Sequence, residues 1–252
     1  MAMDTSDRAD RPSLPPIDHE AARGDLGEAI SPELLAGLLA DGDDELAAWA
    51  LLSALRQAPR EVVYDGLLRE AMVLIGTHWR DGSWGIAEEH AASQALTRAL
   101  DRVAPRRGPL RRVGPLAVVA GVRDERHTLG LVCLAHVLED AGWTVVNLGG
   151  DEPADDLARF VGRMRPGLVG LTASGPGRAV DVADAIRAIE ALALDPAPAV
   201  MVGGRIAAEP AELAIVRTDW LGTSLVDASA FAVAAAERLG ADGTAPPPDE
   251  VF

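Results

Sequence analysis

Cysteine is almost absent from this 252-residue chain, in which Cys133 stands alone. A single cysteine excludes an internal disulfide and any metal cluster held by several thiolates. Aromatic residues make up only 4 % of the chain, so a core must be built mainly from Ala, Leu, Val and Ile. No apolar run approaches the ~20 residues that a membrane-spanning helix needs. The first thirty residues also lack the pattern of a signal peptide, and we therefore expect a cytoplasmic protein without membrane contact.

Positive charge is scarce as well. Lys and Arg total 23 against 39 Asp and Glu, which gives a formal net charge of −16 at pH 7. Nucleic-acid binding depends on cationic contacts to phosphate, so direct nucleic-acid binding is not expected. The densest basic stretch, Arg106–Arg112, lies among proline and glycine and is typical of a solvated linker.

Hydrophobic patterning divides the chain into two domains between terminal tails. Residues 1–30 mix charges with prolines and predict a disordered tail. Residues 31–104 contain four apolar-faced segments with short connections, which predict an antiparallel four-helix bundle. Residues 105–115 form a linker, and residues 116–240 alternate apolar strands with helices. The last residues, 241–252, predict a second disordered tail.

The four bundle helices are predicted to begin at Ser31, at Asp43 or Asp44, at residue 60 and at residue 86. The second helix is predicted to carry Leu46, Trp49, Ala50 and Leu52. The third is predicted to place Val63, Leu67, Leu68, Met72 and Ile75 on one face.

The second domain alternates five strands with five helices, which predicts a doubly wound five-stranded parallel sheet of flavodoxin or Rossmann-like type. The predicted strands are residues 116–122, 143–148, 168–172, 199–202 and 220–226. The predicted helices are residues 127–141, 154–165, 177–192, 209–216 and 229–239. Ligands of such sheets bind at the carboxyl ends of the strands, so the residues just after each strand are the candidates for chemistry.

Three such stretches follow predicted strands. They are Asp124-Glu125-Arg126-His127-Thr128-Leu129-Gly130, Thr172-Ala173-Ser174, and Gly203-Gly204. Each alone is ordinary, since a histidine near a helix start is commonly a cap or a packed ring. Together they resemble the cobalamin-binding domain of methionine synthase, corrinoid methyltransferases and carbon-skeleton mutases. The intervals agree with that resemblance, with 41 residues between Gly130 and Thr172 and 28 between Ser174 and Gly203.

The resemblance implies that His127 is the lower axial ligand to cobalt. Glu125 then stands where the family has an aspartate that supports the other imidazole nitrogen. Arg126, Thr128 and Gly130 complete this part of the expected cofactor site.

A second part of the expected site would receive the nucleotide tail of the cofactor, which histidine ligation displaces from cobalt. Thr172 replaces a family serine whose hydroxyl meets the tail, and Ser174 replaces a family leucine. Gly203 and Gly204 permit close backbone approach, and Thr223 is expected beside them. His136, further along the same predicted helix as His127, is expected to be structural.

The helical domain carries Trp79 followed, after nine residues, by Glu89-His90. This arrangement resembles the CarH-type cobalamin photoreceptors, and the resemblance spans about residues 30 to 240. It implies that the bundle caps the upper face of adenosylcobalamin, with Trp79 on the adenosyl group and Glu89 and His90 lining its pocket. Light would then break the cobalt–carbon bond and change the conformation or oligomeric state. A homodimer, an unidentified downstream partner and no catalytic activity of its own are also implied.

Two features depart from CarH-type repressors. The chain begins with an acidic stretch rather than a winged DNA-binding domain, so its output is expected to pass through a partner. Arg80 occupies a position where some members have a cobalt-binding histidine, and whether His78 or His90 substitutes is left open.

Stand-alone proteins of this organisation also resemble the photocobilins, which implies noncovalent biliverdin as a second chromophore. Trp84, Trp49 and Arg106–Arg112 could serve such a pigment.

Two other functions remain open. A corrinoid methyl carrier of a methyltransferase system would use the same lower ligand without an adenosyl pocket. A cobalamin buffer or delivery protein would release its cofactor to an apoenzyme and show no light response.

Overall fold

The computed structural model describes residues 30–105, 114–175, 177–208 and 217–241. The chain divides into two compact units, with the boundary between Ala104 and Pro105. Almost all of the two predicted tails, the Arg106–Arg112 stretch and the predicted helix 209–216 lie outside the described residues.

The first unit is built from helices. Its elements are α1 (Pro32–Ala40), α2 (Asp44–Leu55), α3 (Arg60–Val63), a π-helical turn (Tyr64–Leu68), α4 (Arg69–Arg80) and α5 (Ile86–Val103).

The first two helix starts follow from local side-chain chemistry. The backbone N–H of Leu34 donates to the Ser31 hydroxyl at 3.2 Å, and that of Leu46 donates to Asp43 Oδ1 at 2.9 Å. Each bond satisfies one of the amide groups that a helix leaves unpaired in its first turn. Pro32 at the start of α1 lacks an amide hydrogen and so leaves none unsatisfied.

Helix α1 is the centre of this unit, because it packs against α2, α4 and α5. Leu35, Leu38 and Leu39 on α1 are at most 1 % exposed. Full burial of a leucine side chain contributes roughly 1.5–3 kcal/mol, so these three residues are a major source of stability for the helical unit.

The prediction for the face of the third helix is wrong in detail, because Tyr64 and Ala71 are buried in place of Leu67 and Met72. The π-helical turn explains the difference, because its wider turns shift the phase of the helix. The second helix carries Leu46, Trp49, Ala50 and Leu52 as predicted. Its buried face runs through Leu46, Ala47, Ala50 and Leu51, whereas Trp49 is 57 % exposed and Leu52 is 37 % exposed.

The second unit contains a five-stranded sheet. Its strands are β1 (Leu116–Gly121), β2 (Thr144–Asn147), β3 (Leu168–Thr172), β4 (Ala199–Gly203) and β5 (Trp220–Leu221). Its described helices are α6 (Leu129–Asp140), α7 (Ala154–Met164), α8 (Ala179–Glu190) and α9 (Leu225–Ala241), with a 3-10 turn at Arg205–Ala208.

All neighbouring strands are parallel, and their order is β2-β1-β3-β4-β5. The predicted doubly wound parallel sheet is therefore confirmed. β2, which follows β1 in the chain, lies on one side of β1, and β3 lies on its other side. The position between β1 and β3 is therefore the topological switch point.

The fifth strand is shorter than predicted. It ends at Leu221, and Leu225 and Val226 already belong to α9 rather than to a strand. The Ser224 hydroxyl accepts a hydrogen bond from the backbone N–H of Asp227 at 3.1 Å, which favours a helix start at this point.

Alternate strand residues supply two cores, one on each face of the sheet. Val118 and Ala120 of β1 pack in the core that α7 and α8 cover. Ala117 and Val119 pack in the core on the side of α6 and α9. All four are fully buried, as expected for strands covered on both faces. No helix in the described ranges is long and apolar enough to cross a membrane.

Candidate functional site

His127 follows β1 in the loop that leads to α6, beside the switch point of the sheet. Its Nδ1 lies 2.7 Å from Glu125 Oε1, and its backbone N–H donates to the same oxygen at 2.6 Å. The imidazole side chain is 80 % exposed, whereas the Glu125 side chain is 3 % exposed. The buried carboxylate therefore holds the inner ring nitrogen and leaves Nε2 directed away from that bond.

The charge of Glu125 is maintained by its hydrogen bonds. Burial disfavours the ionised form, but bonds from the His127 backbone N–H, the His127 imidazole and the Ser174 hydroxyl outweigh burial and lower the pKa of Glu125. An ionised Glu125 can only accept a hydrogen bond, so the Nδ1 of His127 carries the proton. The imidazole tautomer is therefore fixed with its lone pair on Nε2.

Two glycines make room for this carboxylate. A Cβ on Gly121 would lie 3.1 Å from Glu125 Cγ, and one on Gly150 would lie 2.2 Å from the Glu125 carbonyl oxygen. Because the backbone of the β2–α7 loop approaches this closely, only glycine fits at residue 150. Glu125 is thus packed between the ends of β1 and β2.

Asp124 is held by residues from two other loops. Its backbone is in the left-handed region, with φ of 58°. Its N–H donates to Asp151 Oδ1 at 2.7 Å, and its carboxylate Oδ2 accepts from Arg178 Nη1 at 3.1 Å. These contacts connect the loops after β1, β2 and β3 at the same edge of the sheet.

The predicted tail-binding residues also lie at this edge. Thr172 ends β3 and is 8 % exposed, and Gly203 ends β4 beside it in register. Gly204 has φ of +88°, and a Cβ there would lie 2.5 Å from Thr172 Oγ1 and 2.4 Å from the Ala173 carbonyl oxygen. The fold therefore places Thr172, Gly203 and Gly204 together, and residue 204 must be glycine for two separate reasons.

The remaining predicted residues of this unit lie around that group. Arg126 and Gly130 are exposed and Thr128 is partly exposed, all on the loop and first turn of α6. A Cβ on Gly130 would meet nothing within 4 Å. Thr223 is exposed after β5. Their contacts with a cofactor stay predictions, as does the structural role of His136, which is 7 % exposed.

The predicted residues of the helical unit lie where α4 ends and α5 begins. Trp79 is 49 % exposed. Glu89 accepts from the Ser93 hydroxyl at 3.0 Å and lies 3.6 Å from His90 Nε2, and the His90 side chain is 73 % exposed. Both Trp79 and His90 are therefore accessible, and their roles toward an adenosyl group stay predictions.

The connection between α4 and α5 is ordered by an aromatic pair. The His78 and Trp84 rings stack, with centroids 4.9 Å apart and planes inclined by 25°. The Trp84 backbone N–H donates to the His78 carbonyl oxygen at 3.0 Å. Trp84 therefore has a structural contact, and its suggested role toward a pigment stays a prediction.

Sequence reasoning missed Gly150, Asp151 and Arg178. Gly149-Gly150-Asp151 directly follows the second predicted strand and could have been found by treating that strand end like the others. Arg178 carried no comparable signal, because its position relative to Asp124 depends on the β1–β3 pairing.

Family models match both units. Residues 115–223 match a model described as a B12 binding domain, and residues 32–104 match a second B12 binding domain model.

Curated relatives of two kinds are similar to the chain. The HTH-type transcriptional repressor CarH of Myxococcus xanthus is 32 % identical over 149 residues, which are 57 % of this chain and 47 % of that protein. Trimethylamine corrinoid protein 1 of Methanosarcina mazei is 26 % identical over 141 residues, 54 % of this chain and 64 % of that protein. The chain thus spans less than two thirds of either relative.

A solved structure has the same fold. The monomethylamine corrinoid protein of Methanosarcina barkeri superposes with a TM-score of 0.63, covering 79 % of this chain and 95 % of the other, at 15 % identity.

Proposed function

Because the chain belongs to the B12-binding domain family in both of its units, we propose that it is a cobalamin-dependent light-sensing protein whose His127 is the lower axial ligand to cobalt. The observation that carries the ligand assignment is the exposed His127 imidazole with its Nδ1 held by buried Glu125. Cobalamin binding itself follows from the family, whereas the identity of the ligand and the response to light are proposals.

The residues present fit a cobalamin. Within the described ranges no group of three or more His, Cys, Asp or Glu side chains could hold a bare metal ion. The cobalt of a cobalamin is already coordinated by the corrin ring, so a single imidazole from the protein would be enough as a ligand. Cobalt accepts a neutral imidazole nitrogen, and a carboxylate on the other nitrogen raises the basicity of the ring. His127 and Glu125 supply this pair.

The carboxyl ends of β3 and β4 would hold the nucleotide tail. The Thr172 hydroxyl is the polar group available there, and Gly203 and Gly204 keep the neighbouring backbone free of side chains. Arg126, Thr128, Gly130, Ser174 and Thr223 would contact other parts of the cofactor.

The light response is supported by the helical unit. Trp79, with Glu89 and His90, would contact the upper ligand of adenosylcobalamin, and the half-exposed indole of Trp79 offers an apolar surface for an adenine ring. Adenosylcobalamin, when bound, supplies a cobalt–carbon bond that visible light can break. The 32 % identity to the repressor CarH, over 57 % of this chain, supports this proposal.

The output would pass to a partner protein or through a change in a homodimer, because the net charge of −16 disfavours direct binding to nucleic acid. We also propose noncovalent biliverdin as a second chromophore. Trp49, 57 % exposed on α2, offers a flat apolar side chain to such a pigment.

A corrinoid methyl carrier is the second candidate. The 26 % identity to trimethylamine corrinoid protein 1 favours it. A methyl carrier needs the same lower ligand but has no use for a pocket that recognises adenosine.

The test is purification in darkness with adenosylcobalamin, followed by absorption spectra and size-exclusion chromatography before and after green light. We expect a spectral conversion faster than that of free adenosylcobalamin, with a change in elution volume. Repeating the experiment with biliverdin tests the second chromophore by its red absorption. Photolysis at the rate of the free cofactor without any change in size would favour the methyl carrier.

A further inference from the structure

The second unit contains a cavity at the end of the sheet opposite to His127. It lies at the amino ends of β4 and β5, because Ala199 begins β4 and Asp219 directly precedes β5. Its volume is about 580 Å³, within the range of roughly 300–1,000 Å³ that small-molecule sites occupy. The end of α8, the segment from α8 to β4, residues 217–219 and one residue of α9 line it. This cavity is therefore separate from the strand ends that are predicted to hold a cofactor.

The wall that α8 contributes is apolar. Ile186 and Ile189 of this helix line the cavity and are each 3 % exposed. Leu194, which also lines it, packs partly buried against the same core. A ligand with an apolar body would be shielded from water against these side chains, and removal of apolar surface from water favours binding.

The opposite part of the cavity is held by hydrogen bonds between β4 and the residues before β5. The Val200 backbone N–H donates to Asp219 Oδ2 at 2.7 Å, and the Asp219 backbone N–H donates to the Val200 carbonyl oxygen at 2.9 Å. The Thr218 hydroxyl donates to the same carbonyl oxygen at 2.8 Å. The Asp219 carboxylate and the Thr218 hydroxyl are thus bound to the backbone, and this part of the cavity is formed before any ligand binds.

Two arginines, Arg217 and Arg238, line the same cavity. Among the residues that the structure describes, Arg217 makes no hydrogen bond or ion pair through its side chain. The guanidinium carbon of Arg238 lies 5.7 Å from the centroid of the Phe231 ring, and no described carboxylate pairs with it. Arg178 and Arg187 of the same unit, by contrast, each pair with an aspartate. Two guanidinium groups at this cavity are therefore available to an anion, and guanidinium matches the geometry of a carboxylate.

The negative groups at the cavity determine where such an anion is favoured. Glu190 ends α8 and lines the cavity, and the last turn of a helix carries partial negative charge. An anion is therefore disfavoured beside the end of α8 and favoured beside Arg217 and Arg238. The apolar part of the same ligand would then lie against Ile186 and Ile189.

We propose that this cavity is a second ligand site, which binds a small organic carboxylate with an apolar body. The carboxylate pairs with Arg217 and Arg238, and the apolar body packs on the α8 wall. The site shares no residue with the predicted cobalamin site, so the inference does not depend on the role of His127.

The experiment titrates the full chain, without cobalamin, with 2-naphthoate in a calorimeter. Two further probes keep the naphthalene body and change the charge: 2-naphthalenemethanol is neutral, and 2-naphthylmethylamine is a cation. Amide chemical shifts of ¹⁵N-labelled protein locate the bound probe, with Leu194 and Val200 at the cavity and Gly130 at the other end of the sheet.

The variants remove the charge or the space. They are Arg217→Gln and Arg238→Gln, with Arg187→Gln as matched control, because Arg187 is exposed on α8 and already paired with Asp184. Ala197→Phe places a ring at an exposed position that lines the cavity. Circular dichroism checks that each variant is folded.

We expect 2-naphthoate to bind and to shift the amides of Leu194 and Val200, and the neutral and cationic probes to bind at least tenfold more weakly. Arg217→Gln and Arg238→Gln should each weaken 2-naphthoate about tenfold, the effect of removing one charged hydrogen-bond partner. Ala197→Phe should also weaken it, and Arg187→Gln should match the wild-type protein.

Three results would overturn the inference. Shifts at Gly130 without shifts at Leu194 and Val200 would place the probe elsewhere. Tighter binding of the amine than of 2-naphthoate would show that Glu190 and the end of α8 make this a site for cations. Wild-type affinity for 2-naphthoate in both arginine variants would show that the arginines do not bind the carboxylate.

Discussion

His127 and Glu125 form a contact of 2.7 Å between Nδ1 and Oε1 in which the carboxylate is buried and the imidazole is exposed. This contact fixes the tautomer of the imidazole before any cofactor is bound. A histidine restrained in this way loses less freedom on binding a metal than a freely rotating one.

Replacing Glu125 by alanine tests the value of this contact. We expect Glu125→Ala to bind cobalamin about 10- to 100-fold more weakly, the usual effect of removing the carboxylate behind a ligating histidine. Equilibrium dialysis with hydroxocobalamin measures the change, and Glu190→Ala, at an exposed position that ends α8, is the matched control. Wild-type affinity in Glu125→Ala would mean that the contact does not support ligation.

Gly130→Ala should change the free energy of unfolding and the affinity for cobalamin in opposite directions. A Cβ there meets no protein atom within 4 Å, so Gly130→Ala should raise the free energy of unfolding by about 0.5 kcal/mol. Gly130 is also a predicted cofactor-binding residue, so the added methyl group should obstruct the cofactor and lower the affinity for cobalamin. Gly76→Ala, equally open within α4, should gain similar stability at unchanged affinity. Denaturant titration and dialysis give both quantities, and unchanged affinity in Gly130→Ala would remove Gly130 from the site.

Trp79 is predicted to recognise the adenosyl group. Because its side chain is only half buried, Trp79→Ala should cost little stability but weaken adenosylcobalamin more than methylcobalamin. Trp49→Ala, which removes a similarly exposed indole from α2, should affect the two cofactors equally. Titrations in darkness supply the comparison. Equal losses for the two cofactors in Trp79→Ala would show that Trp79 does not sense the upper ligand.

Asp44 gives the helical unit a pH dependence. Its carboxylate accepts hydrogen bonds from Arg98 and Arg102 of α5, which lower the pKa of Asp44. Because the pKa of Asp44 is lower in the folded state, its charge stabilises the protein at pH values above the unfolded-state pKa of about 3.9. This contribution is lost as the pH falls through the folded-state pKa. Asp44→Asn should therefore reduce the thermal midpoint at pH 7 and have a smaller effect near pH 3. An equal effect at both values would contradict the role of the charge.

The parts of the molecule that could be predicted from sequence depend on residues close together in the chain. The Glu125–His127 contact spans two residues, and the start of α1 follows from Ser31 and Pro32. The apolar strands and their alternation with helices predicted the sheet, because the central strands β1, β3 and β4 are buried on both faces.

The parts that sequence reasoning missed depend on contacts between distant segments. Asp124 lies 54 residues from Arg178 and 27 from Asp151, and only the strand order brings them together. The π-helical turn at Tyr64–Leu68 has no signal in a pattern of helical period. The early end of β5 was missed because apolar residues such as Leu225 and Val226 fit a strand and a helix equally well.

Cobalt ligation by His127 is tested by identifying the ligand of cobalt in His127→Ala, in the wild-type protein and in His136→Gln. Cob(II)alamin bound to protein labelled with ¹⁵N-histidine is examined by electron paramagnetic resonance. We expect coupling to a histidine ¹⁵N in wild type and in His136→Gln, and its loss in His127→Ala together with weaker binding. A histidine ligand that persists in His127→Ala, with unchanged affinity, would show that His127 is not the ligand.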